Sequence, residues 1–178
     1  LNRRSMRSYQ NQALTVAEVG QLLWAAQGIT ETSRGFRTAP SAGATFPFEI
    51  YLVAGNVTGL GAGIYQYDYH DHCLVLRREG DFRAKLSGSA LKQSSITSGA
   101  VNIVLTGIYG RTTRRYSDRG IRYVHIEAGH IAQNVCLQAV ALGLGSVPIG
   151  AFNDHSVKKA LDLPKEQIPL YILPVGKI

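Results

Sequence analysis

Three guanidinium groups and one hydroxyl fall within five residues at Arg3-Arg4-Ser5-Met6-Arg7. Such a set can grip a phosphate dianion through charge-assisted, bidentate hydrogen bonds; a solvated basic arm or a nucleic-acid contact would use the same residues. A second cluster, Ala39-Pro40-Ser41-Ala42-Gly43-Ala44-Thr45, gathers small side chains just before an apolar run. Small residues let a backbone approach a flat ring closely and offer its N–H and C=O groups to it. Pro148-Ile149-Gly150-Ala151-Phe152 leaves an apolar segment with the same small residues, and Gly176-Lys177 brings one more cation near the end of the chain. Arg111, Arg114, Arg115, Arg119 and Arg122 form a dense basic segment around Tyr116. Two readings of it stand side by side: a solvated loop, and a clamp for an acidic substrate or for the phosphates of a nicotinamide cofactor.

Other chemistries are poorly served. His125, Glu127 and His130 crowd six residues, but their spacing is not the HExxH that places two imidazoles on one helix face. Glu127, His130 and Asn134 are therefore expected to be satisfied or interfacial polar residues, and no metal is expected. There is no GxSxG nucleophile turn. Gly59-Leu60-Gly61-Ala62-Gly63 precedes an alternating, tyrosine-rich stretch rather than a helix, so it lacks the context of a dinucleotide loop. Cys73 and Cys136 have no zinc-ligand spacing and read as buried small hydrophobes in a reducing compartment.

The elements that must position these groups can be read from capping signals and periodicity. The length of 178 residues suits one domain, and 45% apolar residues excludes disorder. Charged residues make up only 17%, below the usual ~25%, which suggests a surface covered by a partner subunit or large ligand. The net charge of +7 points to an anionic partner. Residues 1–12 form a polar, basic arm. Thr15-Val16-Ala17-Glu18 is a capping box opening a helix through Val19, Leu22, Leu23 and Ala26, stopped by Gly28. Residues 29–47 read as a long loop. Strands are predicted at Phe48–Ala54, at Ile64–Tyr69 with Tyr65, Tyr67 and Tyr69 on one side, at Cys73–Leu76 and at Val101–Thr106. Asp81 would cap a short helix reaching Leu91. The longest helix spans about Gly120–Leu144 and carries one stripe of Ile121, Val124, Ala128, Ile131, Val135, Ala139 and Leu142. A second stripe holds Ile126, Ala132, Cys136, Leu137 and Val140, so this helix is covered on two sides, as a central helix or a dimer seam. Val147–Phe152 and Leu170–Val175 are two more strands, separated by a helix capped by Asp154. The result is an α+β layer fold with a mixed central sheet flanked by helices.

Taken in order, these pieces resemble the nitroreductase-like flavoproteins, and within them the SagB-type dehydrogenase branch. The resemblance rests on the Arg-Arg-Ser-x-Arg arm, the Pro-Ser-Ala-Gly-Ala loop, the Gly-x-Tyr-x-Tyr hairpin, Gln93 ahead of the central strand and Tyr116-Ser117-Asp118-Arg119-Gly120. It continues through Gly129-His130-Ile131-Ala132-Gln133-Asn134, Gly143-Leu144-Gly145, Gly150-Ala151-Phe152 and Leu173-Pro174-Val175-Gly176-Lys177. It implies an intertwined homodimer binding FMN non-covalently at the subunit interface. Arg3 and Ser5, assisted by Arg4, would hold the phosphate and ribityl chain, and Lys177 beside Gly176 would meet the phosphate. Arg7 would sit at the N1/O2 edge and Gln93 at the pyrimidine edge. Pro40, Ser41, Ala42, Gly43 and Ala44 would serve the flavin of the other subunit. Ile149, Gly150 and Ala151 would aim a backbone N–H at N5. A cation at the N1–C2=O edge favours the reduced ring, and a donor at N5 orients it.

The branch's azoline dehydrogenases carry a Lys-Tyr pair where this chain has Arg115-Tyr116. Tyr116 fits an acid/base or substrate-positioning role, whereas Arg115 stays protonated at neutral pH and is a poor base. The resemblance thus implies an FMN-dependent oxidoreductase moving electrons in two-electron steps between NAD(P)H and a small organic acceptor. Oxidation of a peptide-derived azoline ring, a flavin carrier without turnover and a basic nucleic-acid module are the alternatives. No aromatic platforms interleave the arginine-rich segment, which argues against nucleic acid. No apolar run approaches the ~18 residues that span a membrane, and no leader precedes the arm, so a cytoplasmic location is expected.

Overall fold

The computed structural model describes residues 3–178; Leu1 and Asn2, the start of the predicted arm, lie outside the described residues. Thr15 turns the chain from arm to helix. It ends a two-residue strand, β1 (Leu14–Thr15), and its hydroxyl accepts the Glu18 N–H at 3.2 Å while the Glu18 carboxylate accepts the Thr15 N–H at 2.8 Å. This reciprocal box satisfies donors that the first turn of α1 (Val16–Gln27) would otherwise leave open. Gly28 ends the helix, as its position predicts.

The predicted loop 29–47 contains structure of its own. A small hairpin pairs β2 (Ile29–Glu31) with β3 (Phe36–Arg37), and a 3-10 turn follows at Ala42–Ala44. Next come β4 (Phe48–Ala54), β5 (Val57–Thr58), β6 (Gly63–Asp68) and β7 (Cys73–Glu79). The chain then forms α2 (Arg83–Ser89), α3 (Ser94–Ser98), β8 (Val101–Gly107), α4 (Tyr109–Tyr116) and α5 (Arg119–Ala141). It finishes with β9 (Leu144–Ser146), α6 (Asp154–Leu161) and β10 (Ile168–Lys177).

The central sheet has the order β7-β6-β4-β8-β10-β9, and each neighbouring pair runs antiparallel. Parallel pairing enters where the arm joins it, Ser5 bridging Ser146 on β9, and in the separate β1/β5 pair. Side chains alternate across this sheet, as the two-residue period of a strand requires. Ile50, Leu52, Ile103, Leu105, Tyr65 and Tyr67 pack on one face with Leu22, Leu23, Ile131 and Val135 from α1 and α5. Tyr51, Val53, Ile64 and Val104 pack on the other with Leu86, Ile96 and Val157 from α2, α3 and α6. The architecture is α+β, a central sheet with helices on both faces.

Several expectations shift. Asn153, not Asp154, caps α6, its side chain accepting the Ser156 N–H at 2.8 Å; Asp154 is already helical. The strand predicted at Val147–Phe152 lies earlier, at Leu144–Ser146, because α5 stops at Ala141; of the predicted span Ile149 alone makes a bridge, to Ile172. The predicted Asp81 cap accepts the Arg83 N–H at 3.0 Å and the short helix is there as α2, ending at Ser89 rather than Leu91; α3 is a separate helix beyond the predicted span. The arginine-rich segment is no loop: Arg111, Arg114 and Arg115 lie in α4, Arg119 and Arg122 in α5. Cys136 is buried, whereas Cys73 is exposed at the start of β7, the outermost strand. On α5 the first stripe is covered apart from Ile121 and the partly buried Leu142; in the second, Ile126 and Leu137 stay about half exposed, and Trp24 on α1 is 39% exposed.

Candidate functional site

The arm is tied down by main-chain bonds rather than by its charges. The Met6 N–H donates to the Ser146 carbonyl at 3.0 Å, and the Gln10 N–H donates to the Lys177 carbonyl at 2.9 Å. The Tyr9 hydroxyl sits 2.7 Å from the Met6 carbonyl and 3.1 Å from that of Pro174. Two glycines make this approach possible. A Cβ on Gly145 would stand 2.9 Å from Met6 Cβ, and one on Gly176 would stand 2.8 Å from the Tyr9 ring. The predicted members Ser5 and Lys177 therefore lie at the same β9/β10 edge, Ser5 beside Ser146 and Lys177 opposite Leu144. Cys136 on α5 lies beneath them; burial pushes its thiol up, against a hydrogen bond from Ser146 and the charge of Arg3.

Within this cluster Lys177 is engaged: its ammonium pairs with the Glu18 carboxylate of the capping box. Burial disfavours the Glu18 charge, but the Lys177 and Thr15 hydrogen bonds outweigh that cost and hold its carboxyl below the usual range. Arg3, Arg4 and Arg7 form no ion pair with any carboxylate among the described residues. Three uncompensated cations at a main-chain edge opened by glycines have the chemistry of a phosphate site, and this end of the molecule fits the phosphorylated tail of a flavin nucleotide.

The small-residue loop stands on a different part of α5. Ser41 Oγ accepts the Phe46 N–H at 2.9 Å, and the Ala44 N–H reaches the Ser41 carbonyl at 3.1 Å. Gly43, Ala44 and Phe46 all have positive φ (60°, 53° and 41°), a region costly for residues with a Cβ. His130 Nδ1 lies 3.3 Å from the Pro40 carbonyl, and Asn134 Nδ2 donates to the Thr38 carbonyl at 3.2 Å. Both are satisfied polar residues, as predicted. Glu127, one turn earlier on the same face, is 2% exposed, and its Oε1 has no partner among the described residues.

Arg115 and Tyr116 come to this loop from α4. Arg115 Nη1 donates to the Gly43 carbonyl at 3.3 Å, and the Tyr116 ring meets Tyr123 edge-on, with centroids 5.1 Å apart. Pro40, Ser41, Ala42, Tyr123, Ile126, Glu127 and His130 enclose a cleft of about 290 Å³. The predicted pair Arg115-Tyr116 and the predicted loop Pro40–Ala44 are thus one cluster.

Gln93 and Ala151 make a third meeting point. The Gln93 amide donates to the carbonyls of Ala90 and Ala151, at 3.1 Å each, joining α3 to the turn after Ile149. Ile149 is buried, Gly150 and Ala151 exposed, and the N–H groups of Gly150 and Ala151 find no backbone acceptor among the described residues.

One central residue carries no sequence signal. Arg37 lies in the hairpin where only a loop is predicted; its guanidinium sits 3.6 Å from the Tyr69 ring centre and 4.4 Å from that of Phe46, and donates to Gln27 Oε1 at 2.9 Å. Burial lowers its pKa, opposed by the charges of Tyr69, Glu49 and Glu127. The alternating tyrosines were the one available hint, because they build the surface on which Arg37 stacks.

Comparison with known proteins converges on this geometry. Residues 1–177 match the model of the nitroreductase family. A Methanocaldococcus jannaschii protein, MJ1384, whose name places it among nitroreductases, is 44% identical over 177 residues, covering 99% of this chain and 88% of that one. The trifolitoxin operon protein TfxC of Rhizobium leguminosarum bv. trifolii is 26% identical over 191 residues, covering 99% of this chain and 53% of that one. Among solved structures, one from Anabaena variabilis, titled as a nitroreductase, superposes with a TM-score of 0.86 at 30% identity, over 99% of this chain and 36% of that chain. The Escherichia coli microcin synthetase McbBCD complex shares the fold, with a TM-score of 0.83 at 22% identity over 100% of this chain and 71% of the matched one. The chain belongs to the nitroreductase family.

Proposed function

We propose that the protein is an FMN-dependent oxidoreductase, acting as a homodimer and moving electrons in two-electron steps from NAD(P)H to a small organic acceptor. The observation that carries this reading is a cradle split in two. The phosphate-type end lies by Cys136 and the flat loop by Glu127, nine residues apart on α5 and so about 14 Å at 1.5 Å per residue. The uncovered Ile126, Leu137 and Trp24 give a second copy a surface on which to complete each half.

When bound, FMN supplies the two-electron redox chemistry. In this reading Arg3, Arg4 and Ser5 bind the phosphate and ribityl chain, with Lys177, paired to Glu18, beside Gly176 at the same edge. Arg7 holds the electron-rich edge of the ring and Gln93 the pyrimidine side. The free N–H groups of Gly150 and Ala151 orient the ring through N5. Pro40, Ser41, Ala42, Gly43 and Ala44 present main chain to the ring bound by the partner. Tyr116 holds a proton at its hydroxyl for the substrate, and Arg115 orients an anionic group without accepting that proton.

Two relatives favour a second reading. TfxC is named for the trifolitoxin operon, and TfxB, 31% identical over 113 residues, is named as a trifolitoxin-processing protein. A dehydrogenase acting on a peptide-derived ring would use the same cradle, with Tyr116 as the proton-handling group. The test is anaerobic absorbance spectroscopy of the purified protein. A yellow protein that bleaches with NADH or NADPH supports the first reading; one bleached by dithionite alone removes the nicotinamide donor and favours the second. A colourless protein that takes up no FMN overturns both.

A further inference from the structure

The loop that carries Pro40, Ser41 and Gly43 is held by hydrogen bonds, some its own and some from Arg111, Thr112 and Arg115 on α4. None of Ala42, Gly43 or Ala44 is buried, so apolar packing does not fix it. Ala44 and Phe46 sit at positive φ, each at a cost on the order of 1 kcal/mol. Against its other side α5 offers three groups at +3 and +4 spacing on one face: Glu127, His130 and Asn134. His130 and Asn134 hold carbonyls of Pro40 and Thr38. Ser41 uses its oxygen to accept from Phe46, which leaves its own O–H free to donate, and Glu127 is the acceptor beside it.

We propose that Glu127 is the positioning residue of this loop: its buried carboxyl receives the Ser41 hydroxyl and thereby sets where residues 40–46 stand. The groups that face the carboxyl are Ser41 from the loop, Gln27 from α1, Arg37 from β3, and Tyr123 and His130 from α5. Gln27 Nε2, like Glu127 Oε1, is buried without a partner among the described residues. Arg37 is fixed between Phe46 and Tyr69, with Glu49 also in its field, and among the described residues it forms no ion pair with the Glu127 carboxylate.

Burial raises the Glu127 pKa to about 7, against the Ser41, Arg37 and Gln27 contributions. The bond from Ser41 is therefore charge-assisted above neutrality, roughly twice as strong as a neutral one, and is an ordinary bond below it. The loop tightens as pH rises. The loop assignment stands without FMN; its relevance to cofactor binding rests on the function proposed above.

Amide hydrogen exchange tests it in the protein as purified. Phe46 N–H reports on Ser41 Oγ, and Ala44 N–H reports on the Ser41 carbonyl. After correction for intrinsic rates, both gain at least threefold protection between pH 6 and pH 8, and Glu127→Gln abolishes that gain. Ser41→Ala abolishes it at Ala44, and His130→Asn keeps it, separating the effect from imidazole titration. Equal gains in wild type and Glu127→Gln, or a gain lost only in His130→Asn, overturn the proposal. FMN affinity followed over the same range carries the same step if the loop completes the cofactor site. A loop step with no step in FMN binding takes the loop out of the cofactor site and leaves the Glu127 assignment supported.

Discussion

The Tyr116 hydroxyl stands 2.6 Å from the point where a Cβ on Gly43 would lie, and Arg115 Cδ stands 3.1 Å from it. The absence of a side chain at Gly43 is thus what lets α4 close on the loop. Gly43 also has a φ of 60°, so alanine there meets both a backbone penalty and a clash. Gly43→Ala should cost about 1–2 kcal/mol in a urea titration with unchanged m-value. The contact atom is the hydroxyl, so Gly43→Ala combined with Tyr116→Phe should cost less than the two changes summed. Strict additivity would show that the two groups do not touch.

The arm guanidiniums are unpaired among the described residues, and their removal should leave the fold intact. Arg3→Ala and Arg7→Ala should each weaken FMN binding about tenfold or more, the loss of one charge-assisted contact. Fluorescence titration at two salt concentrations checks this: wild-type affinity should fall more steeply with salt than that of either variant. Identical affinities would remove the arm from the cofactor site.

Glu127 carries a pH dependence opposite in sign to that of an ordinary paired carboxylate. Its pKa rises from an unfolded value of 4.5 to about 7 in the fold. Between those values the native chain keeps a proton that the unfolded chain has lost, so stability falls as pH rises across that window. Urea midpoints at pH 5, 6, 7 and 8 should show wild type losing on the order of 2 kcal/mol relative to Glu127→Gln, at 1.36 kcal/mol per pKa unit. Global stability therefore declines over a range in which the loop tightens, a divergence that uniform softening of the fold would not produce.

Leu137 is 51% exposed and Ile126 48% exposed on one side of α5, and Gly129 between them has open space where a Cβ would be. If this side is the seam between two copies, Leu137→Glu should convert the dimer to a folded monomer in sedimentation velocity, with an unchanged far-UV spectrum. A dimer that persists would place the seam elsewhere.

The elements that position the site were legible where one local signal dominated. The Thr15/Glu18 box and Gly28 bracket α1, and the apolar run Phe48–Ala54 is β4 to the residue. The resemblance assigns the arm and Lys177 to one phosphate, and the arm packs along the strand that carries Lys177; the contact of the loop with Arg115 is legible only in the packing. What stayed hidden was tertiary. A carboxylate on a half-apolar helix looks satisfied until a loop is seen to seal it without a full complement of donors, as happens to Glu127. Arg37 becomes a stacked, half-buried cation only because Tyr69, 32 residues on, and Phe46 converge on it. Asn153 outcompetes Asp154 as a cap through a one-residue difference in helix start, below what spacing can resolve.

The β7 strand forms the unpaired rim of the central sheet, with Val75 and Leu76 both over a third exposed. A bare rim of seven residues invites ribbon-like stacking of one molecule onto the next. Arg77, which donates to Gln66, and Arg78, which lies over the Phe82 ring, set two fixed positive charges along that rim. Stacking two such rims edge to edge would force these charges together, so the two side chains oppose that pairing.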